Sequence, residues 1–193
     1  MVLYKLGCFF ATCWNKIVMK ISKISYGRHF SSYGRIIFRN YASQNGIEFG
    51  DRVYVNSFDG TGNPGTFTGR TLLTASQSGH IRIGNDTKLT NCVLYSASGI
   101  EIGNNVTICA GCKIFDTDFH SVKAEYRLNG NKYVPTSPVI IADNVFIGCS
   151  VTVLKGVTIG RDSVVGAGSV VTKNIPPREI WAGNPAHFIK KLP

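Results

Sequence analysis

From Ile102 onward an aliphatic residue recurs every six positions, usually with a smaller residue after it. The pairs are Ile102-Gly103, Ile108-Cys109 and Ile114-Phe115, then, after a gap, Ile141-Ala142, Ile147-Gly148, Val153-Leu154, Ile159-Gly160, Val165-Gly166 and Val171-Thr172. Upstream, Ile83-Gly84, Leu89-Thr90 and Tyr95-Ser96 follow the same rule, and one extra residue shifts the frame before Ile102. Phe49-Gly50 and Leu73-Thr74 read as weaker coils around a Gly-rich excursion from Asp59 to Gly65. A period of six fits neither a helix nor a simple alternating strand. It fits a short flat strand plus a corner, three of which close a triangular coil. The aliphatic residue points inward and stacks on its equivalents in adjacent coils, spaced at about 4.8 Å. Each coil buries its face only against its neighbours, so several must stack. The pattern therefore predicts an all-β parallel β-helix.

The stretch from Phe119 to Val139 breaks the period, and the repeat resumes at full strength afterwards. It is expected to be an extruded loop (119–138), and long loops on rigid scaffolds commonly carry function. The N-terminal segment has a different rhythm. Leu3, Leu6, Phe10, Trp14, Ile17, Ile21 and Ile24 fall at spacings of three and four, with Lys5, Lys16, Lys20 and Lys23 mostly off that line. This predicts an amphipathic helix that caps the coil stack, helps pack a trimer, or lies on a membrane surface. The expected organisation is a basic helical arm over 1–45, a β-helix over 46–176 and a short C-terminal tail over 177–193.

Charge changes the picture at one end only. The net charge is +10, and Lys5, Lys16, Lys20, Lys23, Arg28, Arg35 and Arg39 precede the first carboxylate, Glu48. Such an arm suits an anionic partner, whether membrane surface, substrate or phosphorylated cofactor, or else a packed position on a neighbouring subunit. Nucleic acid is not expected, because no recognition motif accompanies the charge. No segment reads as a signal peptide or a bilayer span. The six cysteines then read as free thiols in a reducing cytoplasm, with peripheral contact at the inner membrane face as the variant reading. Cys109-Ala110-Gly111-Cys112 lacks the second pair that a zinc ribbon needs.

Three motifs carry a resemblance. Ile114 to Ser121 (IFDTDFHS), Val139 to Ser150 (VIIADNVFIGCS) and the stretch ending VVTKNIPPREIWAGNPAHFI at Ile189 resemble the hexapeptide-repeat acetyltransferases. The likeness is to the maltose/galactoside and capsule or lipopolysaccharide sugar O-acetyltransferase group. It covers the second half of the chain well, residues 45–100 loosely and the first 45 not at all. It implies a left-handed β-helix, a homotrimer with sites between subunits, acetyl-coenzyme A as donor without a metal, and a sugar or glycan hydroxyl as acceptor. Amino-sugar N-acetylation, or a structural β-helix without activity, are the alternatives.

The chemistry needs a group that makes a hydroxyl nucleophilic near neutral pH, and a histidine, with a pKa of about 6.5, suits it. The chain has four: His29, His80, His120 and His187. His120 sits where the repeat breaks, and it matches the family's catalytic base. Asp116 and Asp118 are candidates to orient it; Asp118 shares its strand face. Asn91 matches the family's acceptor-contacting asparagine, supplied by the neighbouring subunit, and is equally readable as a coil-corner residue. An acidic pair that the family carries just after it is replaced by Ser96, Ala97 and Ser98. For coenzyme A the matching positions are Cys149, Ala167, Thr172, Lys173 and Lys190, with Trp181 and Phe146 as possible walls. A γ-class carbonic anhydrase would need a second histidine soon after His120, and residues 121–186 contain none.

Overall fold

The computed structural model describes residues 2–42, 46–58 and 69–193. The excursion expected from Asp59 to Gly65 lies outside the described residues. Six coils stack into a left-handed three-sided prism. Sheet A contains Ser25–Tyr26, Ile47–Phe49, Ile81–Ile83, Ile100–Ile102, Val139–Ile141 and Thr158–Ile159. Sheet B contains Ser31–Tyr33, Tyr54–Asn56, Lys88–Thr90, Thr107–Ile108, Phe146–Ile147 and Val164–Val165. Sheet C contains Ile37–Asn40, Leu72–Ala75, Val93–Ser96, Lys113–Phe115, Thr152–Val153 and Val170–Val171. The coils thus begin at Ser25, inside the arm expected over 1–45.

Register explains the period. On sheet A, Ile83, Ile102, Ile141 and Ile159 align; on sheet B, Val55, Leu89, Ile108, Ile147 and Val165; on sheet C, Leu73, Leu94, Ile114, Val153 and Val171. All are buried in one continuous core, where each Leu or Ile stabilises the fold by roughly 1.5–3 kcal/mol. One expected position is corrected. The residue facing inward is Leu94, and Tyr95 lies outside with its ring 4.8 Å from that of Phe119. The frame slips because the corner before Leu94 is short, while the corner Ser96–Gly99 that follows it is long.

The edge between sheets A and B turns through a left-handed residue in successive coils: Arg52, Asp86, Asn105, Asn144 and Asp162, all with φ near +60°. Asn and Asp tolerate this conformation best among residues with a side chain. Arg28 with Asp51, and Arg52 with Asp86, form ion pairs along the edge.

Two elements close the ends. Helix α1 (Val2–Ile21) lies over the first coil. Its buried Asn15 donates to Ser32 Oγ and Gly34 O, both at 2.9 Å, and accepts from Ile36 N. Met19 joins the core. Capping is therefore done by Thr12, Asn15 and Met19 rather than by the apolar stripe, most of which stays exposed. At the other end the tail forms a hairpin, Glu179–Gly183 against Ala186–Lys191, added to sheet B.

Candidate functional site

The loop leaves and re-enters the prism at one point on the edge between sheets C and A. Thr117 bridges Thr136, Asp118 N donates to Pro135 O at 3.1 Å, and Ser137 N donates to Asp116 O at 2.9 Å. This neck lets residues 119–134, including the one-turn helix α2 (Ala124–Leu128), project without disturbing the coils on either side.

His120 stands exposed just beyond the neck and is braced through its backbone. The Asn131 amide spans it, donating to Phe119 O and accepting from Ser121 N, each at 2.9 Å. Arg127 Nη1 binds Ser121 O and Val122 O. Phe119 adopts φ +60°, costly for a bulky residue at about 1–3 kcal/mol. Its ring packs on Tyr95 and Phe115, with centroids 4.8 and 5.1 Å away. Such a conformation persists only where surrounding contacts over-determine it.

The two aspartates differ. Asp116 is buried, and its carboxylate accepts from the backbone N–H groups of Ala97, Ser98 and Gly99 and from Ser96 Oγ, at 2.6–2.8 Å. It holds the long corner one coil earlier. Asp118 turns its carboxylate to Lys155 Nζ at 2.8 Å, while its carbonyl accepts from His120 N at 2.6 Å.

Asn91, Cys149 and Ala167 stand on a different edge, between sheets B and C. A ladder runs down it: Gly111 N to Asn91 O, Ser150 N to Ala110 O, and Gly168 N to Cys149 O, at 2.8–2.9 Å. Asn91 is itself a corner residue, with φ +39° and its Nδ2 donating to Phe58 O. It lines a cavity of about 280 Å³ with Arg70, Gly111, Cys112, Lys113 and Ser150. Further down, Gly148 lies so close to the next coil that a Cβ would come within 2.7 Å of Ala167 N. His120 and Asn91 thus occupy separate edges of the same prism.

Thr172 and Lys173 line a cavity of about 480 Å³ at the C-terminal end, with Trp181, Asn184, His187 and Phe188. Lys190 is exposed on the last strand, opposite Ile180, and does not line it. Phe146 is exposed on sheet B. The remaining histidines serve elsewhere: His80 Nε2 meets Glu101 at 2.7 Å on sheet A, and His29 sits at a left-handed corner. Among the described residues, no three His, Cys, Asp or Glu side chains gather where they could hold a metal ion.

Asn131, Arg127 and Lys155 were not read from the sequence as site residues. Asn131 and Arg127 stand inside the loop that breaks the period, which is the one signal that marks them; Lys155 had none.

Residues 138–173 match the family described as bacterial transferase hexapeptide (six repeats), and residues 81–115 match the hexapeptide repeat of succinyl-transferase. The galactoside O-acetyltransferase of Escherichia coli K12 is 44% identical over 93 residues, 48% of this chain and 44% of that protein. The chain spans about half the length of the curated relatives it matches. A hexapeptide-repeat acetyltransferase structure from Vibrio cholerae is 32% identical with a TM-score of 0.58, covering 64% of this chain and 68% of that one. A galactoside acetyltransferase structure in complex with coenzyme A is 32% identical with a TM-score of 0.57, covering 73% and 64%.

Proposed function

The chain belongs to the hexapeptide-repeat acetyltransferases, and from that premise we propose that it moves an acetyl group from acetyl-coenzyme A to a hydroxyl of a sugar or glycan. The observation that carries this reading is His120, exposed at the mouth of the loop and braced on both sides by Asn131.

The donor supplies an activated thioester, whose thiol has a pKa near 8.5 and leaves readily. His120 takes the proton of the acceptor hydroxyl as its oxygen bonds to the acetyl carbon. The carbon–sulfur bond then breaks, and the proton passes from His120 to the departing thiolate. Asn91 contributes an amide to the acceptor or to the developing oxyanion, and Asp118, paired with Lys155, positions the His120 backbone.

The residues present fit coenzyme A. Ala167 and Gly168 are small, and a Cβ at Gly168 would meet nothing within 4 Å, while Lys173 beside the C-terminal cavity offers a point charge for phosphate. Cys149, Thr172 and Lys190 complete the proposed donor contacts. Because His120 and Asn91 stand on different edges, the reading pairs the C–A edge of one protomer with the B–C edge of the next, three times in a homotrimer. The acceptor class is a surface-glycan sugar such as one from capsule or O-antigen, and the setting is a reducing cytoplasm.

Calorimetry with acetyl-coenzyme A, followed by thiol release with a panel of sugars and amino sugars, tests the proposal. Saturable binding and sugar-dependent release that needs His120 is the expected result. Release only with amino sugars would move the acceptor atom from oxygen to nitrogen, and absence of donor binding would leave a structural β-helix.

A further inference from the structure

Helix α1 docks on the coil stack through its polar side. Thr12 Oγ1 accepts from Ser32 N, Asn15 is wholly buried in hydrogen bonds, and Met19 enters the core. At about 100° per residue, the opposite side carries Leu6, Phe10, Trp14, Ile17 and Ile21, which are 47%, 66%, 47%, 56% and 77% exposed. Phe9, 63% exposed, lies at its margin. A stripe of this length on the outside of an end cap is far more apolar than isolated surface residues require.

Cations flank the stripe on both sides. Lys5, Lys16 and Lys20 run along one margin, and the Arg35 guanidinium sits 4.6 Å over the Trp14 ring on the other. Seven lysines and arginines precede the first carboxylate, Glu48. A second copy of this helix would bring the same cations with no carboxylate to meet them, whereas lipid phosphates complement them. No helix among the described residues is long and apolar enough to cross a membrane, so the matching geometry is a helix lying in the surface plane.

We propose that α1 seats the N-terminal end of the prism on an anionic lipid bilayer, with Leu6, Phe10, Trp14, Ile17 and Ile21 entering the boundary between headgroups and acyl chains and the flanking cations on lipid phosphates. This is independent of the acetyl-transfer reading.

The test is flotation of the full chain with vesicles of equal phosphatidylglycerol and phosphatidylcholine, against phosphatidylcholine alone. The wild type should float with the anionic vesicles, and high salt should weaken binding by about tenfold. Phe10→Glu with Ile17→Glu, both away from the coil stack, should lower the partition coefficient by at least about tenfold while leaving the melting curve and gel-filtration volume unchanged. As a check that does not depend on the double variant, Trp181→Phe leaves Trp14 as the sole tryptophan, whose fluorescence should shift to the blue and be quenched by brominated lipid. No flotation of the wild type would overturn the proposal. So would equal flotation of the double variant, an unquenched Trp14, or a smaller oligomer in the double variant, which would mean that a second copy covers the stripe.

Discussion

Lys155 Nζ lies 2.8 Å from Asp118 Oδ1, joining two residues 37 positions apart at the edge that carries His120. Both side chains are 30% exposed, so solvent screens the pair and its contribution to stability is small. Its geometric effect is larger, because the Asp118 carbonyl fixes the His120 N–H. Under the acetyl-transfer reading, Lys155→Met should lower kcat by about tenfold, less than loss of the proposed base itself, with little change in KM for the donor. Lys155→Arg should recover much of the loss. A Lys155→Met enzyme that loses only thermal stability would make the pair a structural brace.

If His120 is the base that the acetyl-transfer reading makes it, His120→Ala should reduce turnover by roughly 10²–10⁴ and leave the melting temperature intact. Asn91→Ala should also impair turnover. If each site joins the two edges across subunits, mixing the two inactive variants and allowing exchange should regenerate about a quarter of the wild-type sites in random trimers. No recovery after confirmed exchange would place both residues in one protomer's chemistry, or Asn91 outside it.

Asp116 is a matter of folding. Asp116→Ala strands the backbone donors of Ala97, Ser98 and Gly99, the last of them buried, a loss of about 2–4 kcal/mol in urea unfolding. An effect below 1 kcal/mol would mean that water replaces the carboxylate.

The thiols should separate by burial. Burial holds Cys92 far above the ordinary thiol range and pushes Cys112 up to about 12, with neighbouring thiols adding to both. Because burial disfavours the thiolate, both should stay unmodified by iodoacetamide at pH 8 while exposed Cys13 reacts. All should react once the chain is unfolded, as read by mass spectrometry.

The period of six was legible because it encodes only what points inward, and Ile108, Ile147 and Val165 stack as it implies. It failed where the coil departs from that code. The first coil buries Ser32 rather than an aliphatic residue in its sheet B strand, so nothing marked Ser25 as a start. The short corner before Leu94 moved the inward position from Tyr95 to Leu94, and the long corner at Ser96–Gly99 that restores the frame is stabilised by a carboxylate from a later coil. His120 was visible as a histidine at a break in the pattern. Lys155 was not, because coil stacking brings together residues that share no local sequence relationship. The helical stripe was read correctly as a helix, but a hydrophobic pattern does not say which side meets the core, and here Asn15 decided it.

The neck at Thr117 and Thr136 has a consequence for how such a protein can change. Ile114 stacks on Val153, and Ile102 on Ile141, and both pairs lie outside the segment between the two threonines. The intervening segment is therefore an exchangeable cassette. Under the acetyl-transfer reading, a graft cut at these two points that keeps a histidine at the place of His120 would re-specify what approaches that side chain, while the donor groove, built from other coils, passes unaltered from parent to chimera.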